Sequence, residues 1–148
     1  MDELDLRIRN HLYASFVRDG SASSIVQVAA ALALDEKTVA ESYRRLHDSH
    51  ALVLDPDGTE IRMLNPFSAV ETPHRVQAGG REWFANCAWD ALGIPTALHA
   101  DGRIESACPD CAEPLGLEVT EGELLRGREL LVHFVVPARR WWDDIGFT

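Results

Sequence analysis

No apolar run in the chain approaches the roughly 20 residues needed to cross a bilayer, which excludes a transmembrane helix and a membrane partner. The N-terminus reads Met1-Asp2-Glu3-Leu4-Asp5, acidic where a signal peptide would be basic, so the expected location is the cytoplasm. Cysteine is scarce. Three in 148 residues is an odd count that fits poorly with a disulfide framework, and cytoplasmic thiols stay reduced. A basic excess is also missing: 14 Lys and Arg stand against 24 Asp and Glu, a net charge of −10. Residues 1–64 hold 7 basic and 11 acidic side chains, and residues 65–148 hold 7 and 13. Neither half carries the basic excess that nucleic-acid binders use against phosphates, which argues against a nucleic-acid partner. Internal repeats and low-complexity stretches are absent as well.

What remains is a chain that is 46% hydrophobic and long enough to bury a core, as one compact unit or two small subdomains. Leu4, Ile8, Leu12 and Phe16 fall on one helical stripe, which Asp19-Gly20 stops. Ser23 or Ser24 can cap a second helix carrying Ile25, Val28, Ala29 and Leu32. Asp35 can cap a third through Val39, Tyr43 and Leu46. Two strands come next, Ala51–Leu54 and Glu60–Leu64, joined by the turn Asp55-Pro56-Asp57-Gly58.

Three helices and a hairpin are the order of a winged helix-turn-helix. One reading lays the third helix in a DNA groove, with Lys37, Thr38, Arg44 and Arg45 near phosphates, as in a transcriptional regulator. The other makes residues 1–64 a structural winged-helix-like subdomain packed on the C-terminal half of the chain, and the acidic balance favours it.

Residues 65–73 read as a proline-punctuated linker, and residues 74–148 as a second subdomain, a small mixed sheet with one packed helix. The whole is thus expected to be α+β. His74–Ala78 and Arg81–Asn86 flank the turn Gly79-Gly80. Cys87–Leu92 has helical composition, with a stop expected at Gly93-Ile94-Pro95. Further strands are expected at Thr96–His99, Arg103–Ser106, Leu115–Val119 and Leu130–Val136.

Cys87 stands where a strand gives way to a helix, and helix-start N–H groups are expected to lower its thiol pKa. Asp90, three residues on, projects from the same face. Sulfur can bind a soft metal or attack an electrophile while the carboxyl receives or delivers a proton. Trp83, Phe84 and Trp89 are candidates to wall an apolar pocket around them. On residue chemistry alone, inert packing of a buried cysteine remains open.

The run Trp83-Phe84-Ala85-Asn86-Cys87-Ala88-Trp89-Asp90-Ala91-Leu92-Gly93-Ile94-Pro95 resembles the signature segment of the organomercurial (alkylmercury) lyases, with its Cys-Ala-x-Asp. Ser106-Ala107-Cys108 and Pro114-Leu115-Gly116-Leu117-Glu118-Val119 resemble the family's next cysteine-bearing hairpin. The resemblance implies protonolysis of a carbon–mercury bond without a bound cofactor. Cys87 would engage mercury, and Asp90 would shuttle the proton and then help hold mercury(II). The substrate would be a small organometallic or electrophilic molecule, with cellular thiols as co-reactants that remove the metal. The family pattern has a second catalytic cysteine late in the chain; here no cysteine stands between Cys111 and Thr148. An alternative is a non-enzymatic mercury or copper binder or sensor using Cys87 and Asp90, with Cys108 and Cys111 as further candidate ligands.

Cys108-Pro109-Asp110-Cys111 has the C-x-x-C spacing of soft-metal or redox pairs, which makes both cysteines candidate metal ligands. A tetrahedral site would have to recruit Cys87 with His99 or His133. In the family pattern Cys108 matches a structural cysteine and Cys111 has no equivalent. His133 is expected in a strand, His47 and His50 at a helix end, and Trp141 and Trp142 closing the core.

Overall fold

The computed structural model describes residues 1–145. Gly146, Phe147 and Thr148, the end of the expected second unit, lie outside the described residues. Helices α1 (Glu3–Asp19), α2 (Ile25–Leu32) and α3 (Glu36–Asp48) begin at capping residues Asp2, Ser24 and Asp35, each of which accepts a backbone N–H from the helix it opens. Gly20, in the left-handed region, ends α1 as expected. Ile8, Leu12, Phe16, Val28, Val39, Tyr43 and Leu46 are buried, so the helical stripes face one core.

Strands β1 (Val53–Leu54), β2 (Ile61–Leu64), β3 (Phe67–Ser68), β4 (Arg75–Ala78), β5 (Arg81–Ala85), β6 (Gly102–Ala107), β7 (Pro114–Thr120) and β8 (Glu123–Arg126) form one sheet in the order β1-β2-β3-β5-β4-β6-β7-β8. The class is α+β, as expected. Every pairing among the described residues is antiparallel, however, so the sheet is not mixed. Five of the seven pairs are consecutive strands joined by short connections, which admit only the antiparallel sense, since parallel neighbours need long crossovers.

The expected linker at 65–73 contains β3, which pairs with β2 on one side and β5 on the other. Phe67 is buried, stacks on Phe16 at 5.2 Å between centroids, and meets the Trp83 ring at 5.9 Å. Trp83 Nε1 donates to the Phe16 carbonyl at 3.1 Å, which ties β5 to α1.

Helix α4 (Ala88–Leu98) runs through Gly93-Ile94-Pro95 rather than stopping there, and Thr96–His99 is helix and cap instead of strand. Proline removes one N–H and crowds the preceding turn. Burial offsets that cost: Ala91, Ile94 and Pro95 are all buried, and Pro95 leans on Gly102 of β6. A Cβ at Gly102 would lie 2.8 Å from Pro95 Cβ and closer still to Cγ, so glycine makes room for the ring.

Leu130–Val136, expected as a strand, is irregular, and Leu131 is 95% exposed. β8 forms earlier, at Glu123–Arg126, because Glu121 and Gly122 turn the chain directly back onto β7. His133 is therefore an exposed residue outside any strand. A 3₁₀ turn, Ala138–Asp143, holds Trp141 and Trp142 half-buried against the site and against His50 rather than in the core. Among the described residues no helix is long and apolar enough to cross a membrane.

Candidate active site

Cys87 is the N-cap of α4. It leaves β5 in extended conformation, and its sulfur lies 3.5 Å from the Asp90 backbone N–H nitrogen. The same sulfur lies 3.5 Å from Asp90 Oδ2, to which the thiol donates. Strand and cap together therefore put thiol and carboxyl side by side one turn apart.

Both groups are half-buried. Burial pushes the Cys87 thiol up; the N–H groups of Asp90 and Trp89 pull it down, and the Asp90 charge and hydrogen bond push it up again. The helix-start donors expected to lower this pKa are present, but desolvation outweighs them and the thiol is raised. Burial likewise raises Asp90, against hydrogen bonds from Asn86 and Cys87.

Asn86 anchors the carboxyl. Its Nδ2 lies 3.3 Å from Asp90 Oδ2 and 3.0 Å from Asn65 Oδ1, so β5 and the segment before β3 share one polar cluster. Tyr13 of α1 joins from the other side, donating to the Asn65 carbonyl at 2.7 Å. The Asp90 charge helps raise the Tyr13 phenol, secondary to burial. Asn65 and Tyr13 carry no signal in the sequence, because only folding brings residues 13 and 65 to Asn86.

A small cleft of about 80 Å³ opens over the pair, lined by Met63, Asn65, Asn86, Cys87, Trp89, Asp90, Phe134, Trp141 and Ile145. Of the three aromatics expected at the wall, Trp89 alone lines it and is 61% exposed. Trp83 is sealed in the core, and Phe84 packs beneath the Arg75 guanidinium at 5.6 Å. Strand alternation explains the loss: consecutive residues of β5 point to opposite faces, and neither points past the strand end. The wall comes instead from the C-terminal segment, where Phe134 and Trp141 meet at 4.8 Å between centroids.

The family model for alkylmercury lyases matches residues 67–148, more than half of the chain. The chain belongs to the alkylmercury lyase family. Alkylmercury lyases of Bacillus cereus and Clostridium butyricum are each 29% identical to it over 83 residues, 56% of this chain. The matched part spans 37% of the length of these curated relatives. The crystal structure of the mercury-bound form of MerB2 is similar at a TM-score of 0.69 and 28% identity, over 85% of this chain and 60% of that one. The segment shared with the alkylmercury lyases contains Cys87, Asp90 and the C-terminal wall over them, while Met63, Asn65 and Tyr13 come from the chain before it.

Cys108 and Cys111 of this alkylmercury lyase family member lie at the tip of the β6–β7 hairpin, outside the cleft. All three cysteines are free. Among the described residues no group of three or more His, Cys, Asp or Glu side chains is arranged to hold a metal, so the four-ligand site with His99 or His133 does not form. Of the residues considered for DNA, Arg45 is committed to the buried Asp5 at 2.8 Å, and Thr38 hydrogen-bonds the capping Asp35.

Proposed function

We propose that this chain carries a thiolate-assisted protonolysis of a carbon–mercury bond, with a small organomercurial as substrate and cellular thiols as co-reactants. The observation that carries the reading is the 3.5 Å contact between Cys87 Sγ and Asp90 Oδ2 inside a half-buried cleft. Cys87 surrenders its proton to the Asp90 carboxylate as its sulfur displaces the monothiolate that carried the organomercury cation, and that thiolate leaves. Mercury(II) is soft and favours sulfur. The new sulfur–mercury bond raises electron density on the attached carbon. Asp90, whose carboxyl burial already biases toward the protonated form, returns the proton to that carbon. The carbon–mercury bond breaks, hydrocarbon leaves, and mercury(II) stays on the Cys87 sulfur and the freed Asp90 carboxylate until thiols exchange it away.

Asn86 orients the carboxyl, while Trp89, Phe134 and Trp141 exclude water from it. The three helices and hairpin of residues 1–64 are read as a winged-helix-like unit with a packing role, since α1 holds Asn65 through Tyr13, stacks Phe16 on Phe67 and accepts the Trp83 indole of the second unit. Purified protein given an organomercurial and excess monothiol should release hydrocarbon. Cys87→Ala should abolish release, and Asp90→Asn should lower the rate by about 10²–10⁴-fold, the usual worth of a positioned acid. No release by the unaltered chain, or equal release by Cys87→Ala, overturns the proposal.

A second reading is non-enzymatic capture of mercury or copper. One observation favours it: among the described residues Cys87 is the only thiol lining the cleft. It predicts stoichiometric loss of the Cys87 thiol on metal addition, with no hydrocarbon released.

A further inference from the structure

The hairpin between β6 and β7 turns at Cys108-Pro109-Asp110-Cys111-Ala112. Cys108 N–H donates to the Glu113 carbonyl and Ala112 N–H to the Cys108 carbonyl, both at 2.9 Å. Ala112 adopts a left-handed φ of 59°, and these constraints fold the loop back on itself. The Cys108 thiol is held below its ordinary pKa, first by the Cys111 and Asp110 backbone N–H groups and then by the Cys111 side chain. The turn closed by the Ala112 N–H therefore holds both cysteines in one tight loop, with backbone donors favouring negative charge on the first of them. Cys108 is half-exposed and Cys111 exposed, so the pair is open to solvent.

The strand register gives the pair a location. Arg75 of β4 stands opposite Phe84 of β5 on one side and Glu105 of β6 on the other. Cys87 lies three residues beyond Phe84, and Cys108 three residues beyond Glu105. β5 and β6 run the same way on either side of β4, so both cysteines leave the same end of the sheet. Two strand spacings separate the two paths, about 10 Å. Hydrogen bonds tie that end together: Ala85 N–H donates to the His74 carbonyl at 2.9 Å, and His74 Nδ1 lies 2.8 Å from Ser106 Oγ.

We propose that Cys108 and Cys111 form a two-thiol acceptor for mercury(II), placed beside the Cys87 cleft to take the metal that the reaction leaves behind. This rests on the proposed function for the source of the metal. The step is ligand exchange without redox change. Mercury(II) arriving as a bis-monothiolate forms two new sulfur–mercury bonds to Cys108 and Cys111. The two old sulfur–mercury bonds break, and the departing monothiolates take up the two protons that the cysteine thiols release. A dithiol wins this exchange because its second bond forms intramolecularly. Sulfur and linear coordination are what mercury(II) prefers, so the pair suffices without the two further ligands that a tetrahedral metal would demand.

The test uses inorganic mercury(II), supplied as its complex with a small monothiol, and so is independent of any carbon–mercury cleavage. The 148-residue chain with Cys87→Ser isolates the hairpin pair. It should gain one mercury per chain by mass and lose both remaining thiols to titration. Cys87→Ser combined with Cys111→Ser should retain mercury at least about tenfold less well against the same monothiol, because the intramolecular second bond is gone. Equal retention by the two variants, loss of only one thiol, or one mercury shared between two chains would each overturn the proposal. Absence of hydrocarbon release from an organomercurial would instead remove the reading of the Cys87 cleft and leave this binding result intact.

Discussion

Cys87 Sγ touches both ends of one residue: it accepts from the Asp90 amide and donates to the Asp90 carboxylate, each at 3.5 Å. The amide favours thiolate and the carboxylate favours thiol, and burial adds to the second. A resting site of this kind holds its proton until something softer than hydrogen competes for the sulfur. Mercury is such a competitor.

Asp90→Asn separates these influences. It keeps the amide donor but removes the negative charge and the anionic acceptor, so the Cys87 thiol pKa falls. Alkylation rate measured against pH should show its midpoint at lower pH in the variant. Because the other two cysteines also react, the measurement belongs in a Cys108→Ser, Cys111→Ser background. An unmoved or higher midpoint contradicts the coupling.

The cap role of Cys87 gives a separable prediction on stability. Serine is a preferred N-cap and alanine a poor one, so Cys87→Ser should be more stable than Cys87→Ala by about 1 kcal/mol. Urea midpoints would order the two. The reverse order would show that the sulfur contact with the Asp90 amide does not cap α4.

Trp141 belongs to the wall rather than to the chemistry. Its indole donates to the Val136 carbonyl at 3.1 Å and packs on Phe134, which holds the C-terminal segment over the cleft. Trp141→Ala should admit water to Cys87, lower the thiol pKa by weakening its desolvation, and speed alkylation near neutral pH. A slower or unchanged rate would show that the segment does not shield the sulfur.

Asp5 governs acid sensitivity far from the site. Burial raises its carboxyl, but hydrogen bonds from Arg45, Ser42 and the Asp2 amide, with the Arg45 charge, outweigh that and bring it from 3.8 down to about 2. A carboxyl lowered on folding stabilises the fold above its ordinary pKa, and that contribution fades as pH falls from about 4 to 2. Asp5→Asn should cost about 1–3 kcal/mol at neutral pH, the range for a lost charged hydrogen bond, since half-exposed Arg45 can return to water. It should also flatten the acid limb of the unfolding curve. A variant that unfolds along the same acid limb would assign that sensitivity elsewhere.

Local signals in the sequence carried the helices well. Ser24, Asp35 and Gly20 act through bonds within a few residues, so the first three helices were readable without the fold, while the Asp2 cap of the first was not read. The hairpin turn at Gly79-Gly80 was readable for the same reason. Pro95 misled because the reward for keeping it inside α4 lies in β6, against a glycine whose lack of Cβ has meaning only in three dimensions. Leu130–Val136 misled because an apolar run resembles a strand until the sheet is seen to close on β8 instead.

The sequence by itself determined the α+β class, the strand-to-helix junction at Cys87, and the adjacency of its thiol to Asp90, since three residues at a helix start admit little else. Tertiary structure decided the rest of the site. It replaced Trp83 and Phe84 with Phe134 and Trp141, brought Asn65 and Tyr13 to the polar cluster, and set Cys108 and Cys111 at the same sheet end as Cys87. It also reversed the expected direction of the thiol pKa. Local dipoles are written in the chain, but desolvation depends on which distant side chains come to cover the sulfur, and here they outweigh the dipoles.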